Sequence, residues 1–369
     1  MTTKDAPPAP AKGRGATFNP ANRFRADARA AYDDGWPQPG EPGDEPPPPI
    51  RTVVTIQRAR TIIAHNNSPD VPFTQSVNPD QGCEHGCIYC FARPSHAYLD
   101  LSPGIDFETK LFAKPDAANL LRAELAKPGY RCDPIALGTN TDPYQPIERE
   151  WKVTRSVLEV LALHEHPFTI VTKSALVERD IDLIAPMAQK RMARVYLSVT
   201  TLDRALARRM EPRAAAPHRR LQALKTLADA GIPVGVMVAP VIPQLNDRDL
   251  EAILEAAAAH GAQSAGWVLL RLPREVAPLF REWLDAHYPL RAGHVVSLVQ
   301  QMRGGRDYDS AFGTRMRGNG ALAALLERRF AIACRRLGLN RGREHTGLDV
   351  SRFRPPRPDA AERQGELFA

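Results

Sequence analysis

Seven short apolar runs, each closing on small or polar residues, punctuate the chain from residue 51 onward. The first two, "RTVVTIQ" (51–57) and "RTIIAH" (60–65), read as short strands. "IALGT" (135–139), "FTIVTKS" (168–174), "RVYLSVTT" (194–201), "VGVMVAP" (234–240) and "GWVLLRLP" (266–273) repeat one form, an apolar core with a polar exit. Between them lie segments with apolar residues at helical spacing: "VTRSVLEVLALH" (153–164), "RDIDLIAPMAQK" (179–190), "HRRLQALKTLADAG" (218–231) and "DRDLEAILEAAAAHG" (247–261). Two of these close on glycine, a common helix C-cap.

Near-continuous apolar strands alternating with amphipathic helices predict a parallel sheet covered by helices. At least five such β–α units follow residue 90, and a first short strand is expected before residue 83. No Gly-rich dinucleotide turn opens the series, so an open or closed (β/α) barrel is expected rather than a doubly wound sheet. Functional residues in such barrels stand where the strands end. The exits here, "GTNTDPY", "TKS", "SVTT" and "APVIPQLND", are unusually polar.

The flanks differ in composition. Residues 1–50 are rich in Pro, Ala and charge and are expected to be a disordered arm, although "GRGATFNPANRFRA" within it carries two phenylalanines and several arginines that suit docking. Residues 51–300 are expected to form the barrel, 301–340 a helical extension with one helix at 321–339, and 341–369 a basic disordered tail. No apolar run approaches the roughly 18 residues of a membrane span, and the N-terminus has no apolar leader segment. A cytoplasmic protein with no membrane partner is expected. The net charge of +7 permits contact with a polyanion without requiring it.

Residues 82–94, "GCEHGCIYCFARP", change the picture. Three of the five cysteines, Cys83, Cys87 and Cys90, fall within eight positions as C-x3-C-x2-C. Five cysteines in 369 residues do not suggest a disulfide scaffold, and a tight cluster of reduced thiols points to metal or catalysis. Three thiolates cannot close a tetrahedral zinc site without a fourth ligand, for which His96 is a candidate; His85 inside the loop would strain it. A four-cysteine ferredoxin pattern fails as well, because Cys132 and Cys334 are distant and solitary. A 4Fe–4S cluster held at three corners accounts for the count. The bare fourth iron can bind the amino and carboxylate groups of S-adenosylmethionine (SAM), whose reductive cleavage releases a 5′-deoxyadenosyl radical. Tyr89, between the last two cysteines, can lie against the adenine.

With these residues, the chain resembles the radical SAM superfamily and, more narrowly, its spore-photolyase-like branch. "NNSPDVPFTQSVNPDQGCEHGCIYCFARPSH" and "GTNTDPYQPIE" carry the likeness, which extends over about residues 50 to 300. The resemblance implies an α/β fold, a partial TIM-like (β/α)6 barrel with disordered N- and C-terminal tails and the cluster on the loop after the first strand. It also implies that polar residues after the second, third and fourth strands touch SAM; here these are Asn140 and Thr141, Lys173, and Ser198 and Thr200. Lys173, or alternatively Arg213 in "RRMEPR", would pair with the SAM carboxylate. An external electron donor such as flavodoxin or ferredoxin would reduce the cluster. In spore photolyases a cysteine near the end of the second strand returns hydrogen to the product radical. Thr139 stands there, and a hydroxyl is a poor hydrogen-atom donor, so thymine-dimer repair does not carry over.

Three functions compete on this basis. The first is a radical SAM enzyme acting on a macromolecule, nucleic acid or protein. The second is a non-catalytic iron–sulfur electron carrier or redox sensor, and the third a zinc-stabilised nucleic-acid-binding module. The terminal "RQGELFA" also resembles peptides that dock on the bacterial sliding clamp, through Gln364, Leu367 and Phe368.

Overall fold

A computed structural model of the chain describes residues 13–25, 50–341 and 347–356. Its strands are β1 (Val53–Ile56), β2 (Ile63–His65), β3 (Gln75–Val77), β4 (Asp80–Gln81), β5 (Lys110–Ala113), β6 (Ile135–Leu137), β7 (Phe168–Thr172), β8 (Ala193–Ser198), β9 (Val234–Val241) and β10 (Ser264–Leu269). A seven-stranded sheet has the order β10-β9-β8-β7-β6-β3-β2. Every pair in it is parallel except β2 with β3, so six parallel strands run from β3 to β10. This is the α/β, partial (β/α)6 arrangement expected. β1, β4 and β5 form a separate three-stranded sheet.

The strands are buried because their inward residues are branched and apolar. Ile135, Leu137, Phe168, Ile170, Val195, Leu197, Val234, Val236 and Val238 are all within 1% of full burial. Helices Val153–Leu163, Ile181–Gln189, Pro217–Asp229 and Leu250–Ala259 cover the sheet with the apolar faces their spacing predicted. The strands stop earlier than the apolar runs suggest. β6 ends at Leu137, β7 at Thr172 and β8 at Ser198, which leaves Thr139–Thr141, Lys173 and Thr200 in the loops beyond.

β3, the first strand of the parallel set, has no apolar run to announce it. Its Gln75 and Ser76 are buried all the same, because Gln75 spends its polar groups on the Arg131 carbonyl (3.0 Å) and the Tyr130 hydroxyl (2.6 Å).

The flanks are more ordered than their composition implies. Residues 13–25 pack on the barrel, as described below. Residues 347–356 return to the start of β7, where Arg354 N–H donates to the His164 carbonyl (2.9 Å) and Phe353 packs on Tyr130 and His166. Helix Gly320–Leu337 places Leu326, Phe330 and Ala333 in the main core, with Phe330 against Trp267 of β10. It is therefore part of the barrel's packing. The sheet has open edges at β2 and β10. Residues 313–316 span between them: Leu269 N–H donates to the Met316 carbonyl (2.9 Å), while Arg315 pairs with Asp70 (2.5 Å) in the β2–β3 connection. Gln364, Leu367 and Phe368 lie outside the described residues.

Candidate functional site

The cysteine loop leaves β4 and crosses the mouth of the barrel. Glycines permit its path. Gly86 has φ +68°, and a Cβ there would lie 2.7 Å from Glu108 Oε2. Backbone hydrogen bonds fold the loop on itself: Gly86 N–H donates to the Cys83 carbonyl (3.3 Å) and Cys90 N–H to that of Cys87 (3.1 Å). All three thiols are free, and Cys83 and Cys87 are buried.

Four parts of the fold hold this loop. From below, Thr141 Oγ1 and Gln145 Nε2 both donate to the Gly82 carbonyl (2.6 and 3.3 Å), and Glu84 N–H donates to Gln145 Oε1 (2.8 Å). On one flank, Arg93 donates to the Cys87 carbonyl (3.0 Å) and forms a fully buried pair with Glu108 (2.5 Å). Glu108 in turn accepts from Gly15 N–H (2.9 Å) and Ala16 N–H (2.8 Å) of the N-terminal arm. Gly15 is forced here, since a Cβ would fall 1.8 Å from the Gly86 carbonyl oxygen. Opposite, residues 210–213 grip the loop: Ile88 N–H donates to the Met210 carbonyl (3.0 Å), and Arg213 donates its N–H to the His85 carbonyl (3.3 Å) and pairs with Glu84 (2.6 Å). Finally, Asp142 joins the loop to β7. It lies 3.3 Å from His85 Nδ1 and accepts from Thr172 Oγ1 (2.6 Å) and Lys173 N–H (2.8 Å).

At the centre stands a carboxylate absent from the sequence reading. Glu211 accepts from the Tyr89 hydroxyl, from Thr200 Oγ1 (2.6 Å) and from buried Arg220. Burial alone would raise its pKa, but Arg220 and Lys173, with the hydrogen bonds of Thr200 and Tyr89, outweigh burial and hold it at about 2. Lys173 completes the group, its ammonium 5.7 Å from the Tyr89 ring centroid. Burial works against its charge, yet Cys87 and Glu211 outweigh burial and raise its pKa. Among the described residues the Lys173 ammonium has no hydrogen-bond or ion-pair partner, whereas Arg213 is engaged by Glu84.

The expected SAM contacts thus divide. Tyr89, Lys173 and Thr200 meet around Glu211. Ser198 is buried at the end of β8, its carbonyl accepting from Arg220 (3.0 Å). Asn140 N–H donates to Asn78 Oδ1 (2.8 Å), and Thr141 is committed to Gly82. Asp142, whose "DPYQP" context suggests a turn cap, does cap that turn at Tyr144 N–H (3.0 Å) and also reaches β7. Thr139 bonds Asn78 (3.2 Å), and Cys132 precedes β6, at the strand's other end.

The three free thiols of the loop are the donor type a 4Fe–4S cluster takes. Among the described residues no three His, Cys, Asp or Glu side chains group to hold one metal ion. A cubane spreads its ligands over separate corners and needs no such point of convergence. His96, the fourth ligand zinc would require, is bonded at Nε2 to the Lys110 carbonyl (2.9 Å) and packs edge-on to Phe107, while its buried Nδ1 has no hydrogen-bond partner among the described residues. Burial pushes the Cys87 thiol up to about 12 and that of Cys83 well above its usual range.

A model of the Radical SAM superfamily matches residues 77–257. Over those residues the chain matches the radical SAM superfamily. Radical SAM domains use a 4Fe–4S cluster and SAM, the two cofactors inferred from the cysteine spacing. Uncharacterized proteins of Mycobacterium tuberculosis and Mycobacterium bovis are 40% identical over 225 residues, covering 60% of this chain and 66% of theirs. One of Methanocaldococcus jannaschii is 28% identical over 214 residues, 58% of this chain and 76% of its own. The chain therefore spans just under two thirds of the mycobacterial relatives' length. Among solved structures, spore photoproduct lyase complexed with dinucleoside spore photoproduct superposes with TM-score 0.53 at 15% identity, over 78% of this chain and 80% of that one. At that identity the likeness shows a shared fold. Among the described residues no helix is long and apolar enough to cross a membrane.

One buried acid near the radical SAM loop has a pH consequence. Among the described residues Asp80 Oδ1 has no hydrogen-bond partner and Oδ2 receives only Gln145 (3.3 Å). Burial, aided by Glu148, raises its pKa to about 7. The fold thus favours the protonated acid. Its contribution is fully present below the unfolded pKa of ~3.9 and is lost as pH rises toward 7. Asp80→Asn, which mimics the protonated form, is expected to raise the melting temperature more at pH 8 than at pH 5. Equal shifts in thermal unfolding at the two pH values would contradict this.

Proposed function

We propose that this protein is a radical SAM enzyme in which Cys83, Cys87 and Cys90 hold a 4Fe–4S cluster and Lys173 receives the SAM carboxylate. When bound, the cluster and SAM supply one-electron cleavage of the sulfonium to a 5′-deoxyadenosyl radical that abstracts hydrogen from the substrate. The chain's residues prepare the place. The Lys173 ammonium stands 5.7 Å from the Tyr89 ring centroid with no hydrogen-bond or ion-pair partner among the described residues, and this is the observation that carries the reading. Glu211 and Arg220 neutralise each other and fix Tyr89, so the ring can serve as a flat wall for adenine. Leu206, Met210, Ile242, Leu270 and Leu272 belong to the same buried apolar cluster as Cys87 and Tyr89, which keeps that side dry. A bare iron–sulfur carrier would need neither the unpaired lysine nor the barrel.

The reading extends to a macromolecular substrate. Phe91, next to Cys90, is 48% exposed with the Arg271 guanidinium 4.9 Å from its ring centroid, and Phe312 is 58% exposed with that of Arg315 at 4.8 Å. Guanidinium–aromatic pairs on a rim suit unpaired nucleobases better than an extended peptide.

Lys173→Met tests the site. Iron and sulfide content should match wild type, while the SAM concentration for half-maximal 5′-deoxyadenosine formation rises at least about tenfold, as expected on removing one partner of a desolvated charge pair. An unchanged SAM requirement would remove Lys173 from the site. In the same assay, stimulation by single-stranded nucleic acid and not by peptide would support the nucleobase rim, and the reverse would refute it.

A further inference from the structure

The cysteine loop is covered on one flank by residues 13–25 and opens on the other to a cavity of about 520 Å³. Its lining includes His85, from within the loop, and Arg149, Arg179, Arg213 and Arg219. Four of thirteen lining residues are arginine, against 49 Lys and Arg in 369 residues of the whole chain, so general basicity does not explain the concentration. Glu178 is the one acidic residue among those lining residues.

The charge faces outward. Arg213 pairs with Glu84 and Arg179 with Glu148 and Asp180, but these carboxylates are 0 to 6% exposed, beneath the guanidinium groups. Arg219 is 43% exposed over Glu178 at 19%. Arg149 is exposed and has no ion pair among the described residues. An approaching molecule therefore meets a positive, concave surface one residue removed from two of the three thiols. Such a surface accelerates encounter with an acidic partner and sets its orientation.

We propose that this arginine-lined cavity is the docking face for an acidic one-electron carrier protein that reduces the site held by the cysteine loop. The proposal rests on the radical SAM reading above. The carrier's reduced flavin or iron–sulfur centre loses one electron and the cluster gains it; no bond forms or breaks at the dock. The carrier must come near the thiols, and His85 is where the loop reaches the wall of an open cavity. The opposite flank is closed by Gly15 against the Gly86 carbonyl.

The experiment compares two reductants in the full-length, cluster-loaded protein. Reduced flavodoxin and reduced ferredoxin must dock, whereas dithionite is small and needs no dock. Arg149→Glu, and separately Arg219→Glu, are expected to raise the KM for the carrier protein at least about tenfold while dithionite-driven 5′-deoxyadenosine formation is unchanged. Added salt should weaken carrier-driven turnover of wild type more than of either variant. Arg328→Glu, an equal charge change on helix Gly320–Leu337, should leave the carrier KM alone. The proposal is overturned if the carrier KM does not move, if Arg328→Glu moves it equally, or if both reductants lose rate together. A milder Arg149→Gln covers the case in which a reversal disturbs folding. Wild type that fails with dithionite would instead refute the enzymatic reading itself.

Discussion

Cys87→Ala is expected to leave a folded protein that takes up iron poorly and forms 5′-deoxyadenosine only at background. The backbone here is held independently of the thiol. The Cys87 carbonyl accepts from Arg93 and from Cys90 N–H, and the next residue is anchored by Ile88 N–H on Met210. Alanine keeps all three bonds and loses one buried sulfur, a change on the order of 1 kcal/mol in a protein with several to spare. The chemical loss is complete by comparison, since two thiols leave two corners of a cubane without protein ligands. Cys132→Ala, at the far end of β6, should behave as wild type. The checks are iron per chain after anaerobic reconstitution, product by chromatography, and an unchanged circular dichroism spectrum. A Cys87→Ala protein that still cleaves SAM would defeat the assignment of the three ligands.

Glu108→Ala should be the most damaging change outside the thiols. It strands the Arg93 guanidinium at 0% exposure and removes the acceptor for Gly15 and Ala16 N–H together. Breaking a buried ion pair from one side costs about 3–5 kcal/mol, a large share of the ~5–15 kcal/mol that keeps a domain folded. Glu108→Gln retains acceptor oxygen and should lose less. The readouts are the denaturant midpoint and trypsin cleavage after Arg14, Arg23 or Arg25, which should speed up as the arm detaches. A Glu108→Ala protein with wild-type midpoint and wild-type cleavage would show that the arm is held by other means.

Some of this was legible in the chain. The β–α alternation placed five of the six parallel strands and four of their helices, because burial on both faces of a strand demands an unbroken apolar run. β3 escaped that pattern because its buried polar residues are satisfied by Tyr130 and Arg131, far from it in sequence. Residues 1–50 read as a disordered arm with one segment suited to docking, and where that segment docks was not legible, since Pro-rich composition is a local property. The anchoring of Gly15 by Glu108 joins positions 93 residues apart and leaves no local trace. Glu211 was overlooked for the same reason. In "RRMEPR" it resembles any surface acid, and it becomes a buried charge only when Arg220 and Tyr89, the latter 122 residues distant, close around it. Lys173 was the first candidate for the SAM carboxylate and Arg213 the alternative; nothing local in the chain told that Arg213 pairs with Glu84.

The amino-acid sequence by itself determined that three thiols share one short loop and that parallel strands alternate with helices. Both are short-range patterns, written in spacings of two to four residues and in runs of one polarity. Only the tertiary structure decided which strand exits meet across the barrel mouth, which charges neutralise one another there, and which flank of the loop stays open. Those outcomes depend on pairings over tens to hundreds of residues, where the energy of a contact is set by burial and partner geometry that no local stretch of chain contains.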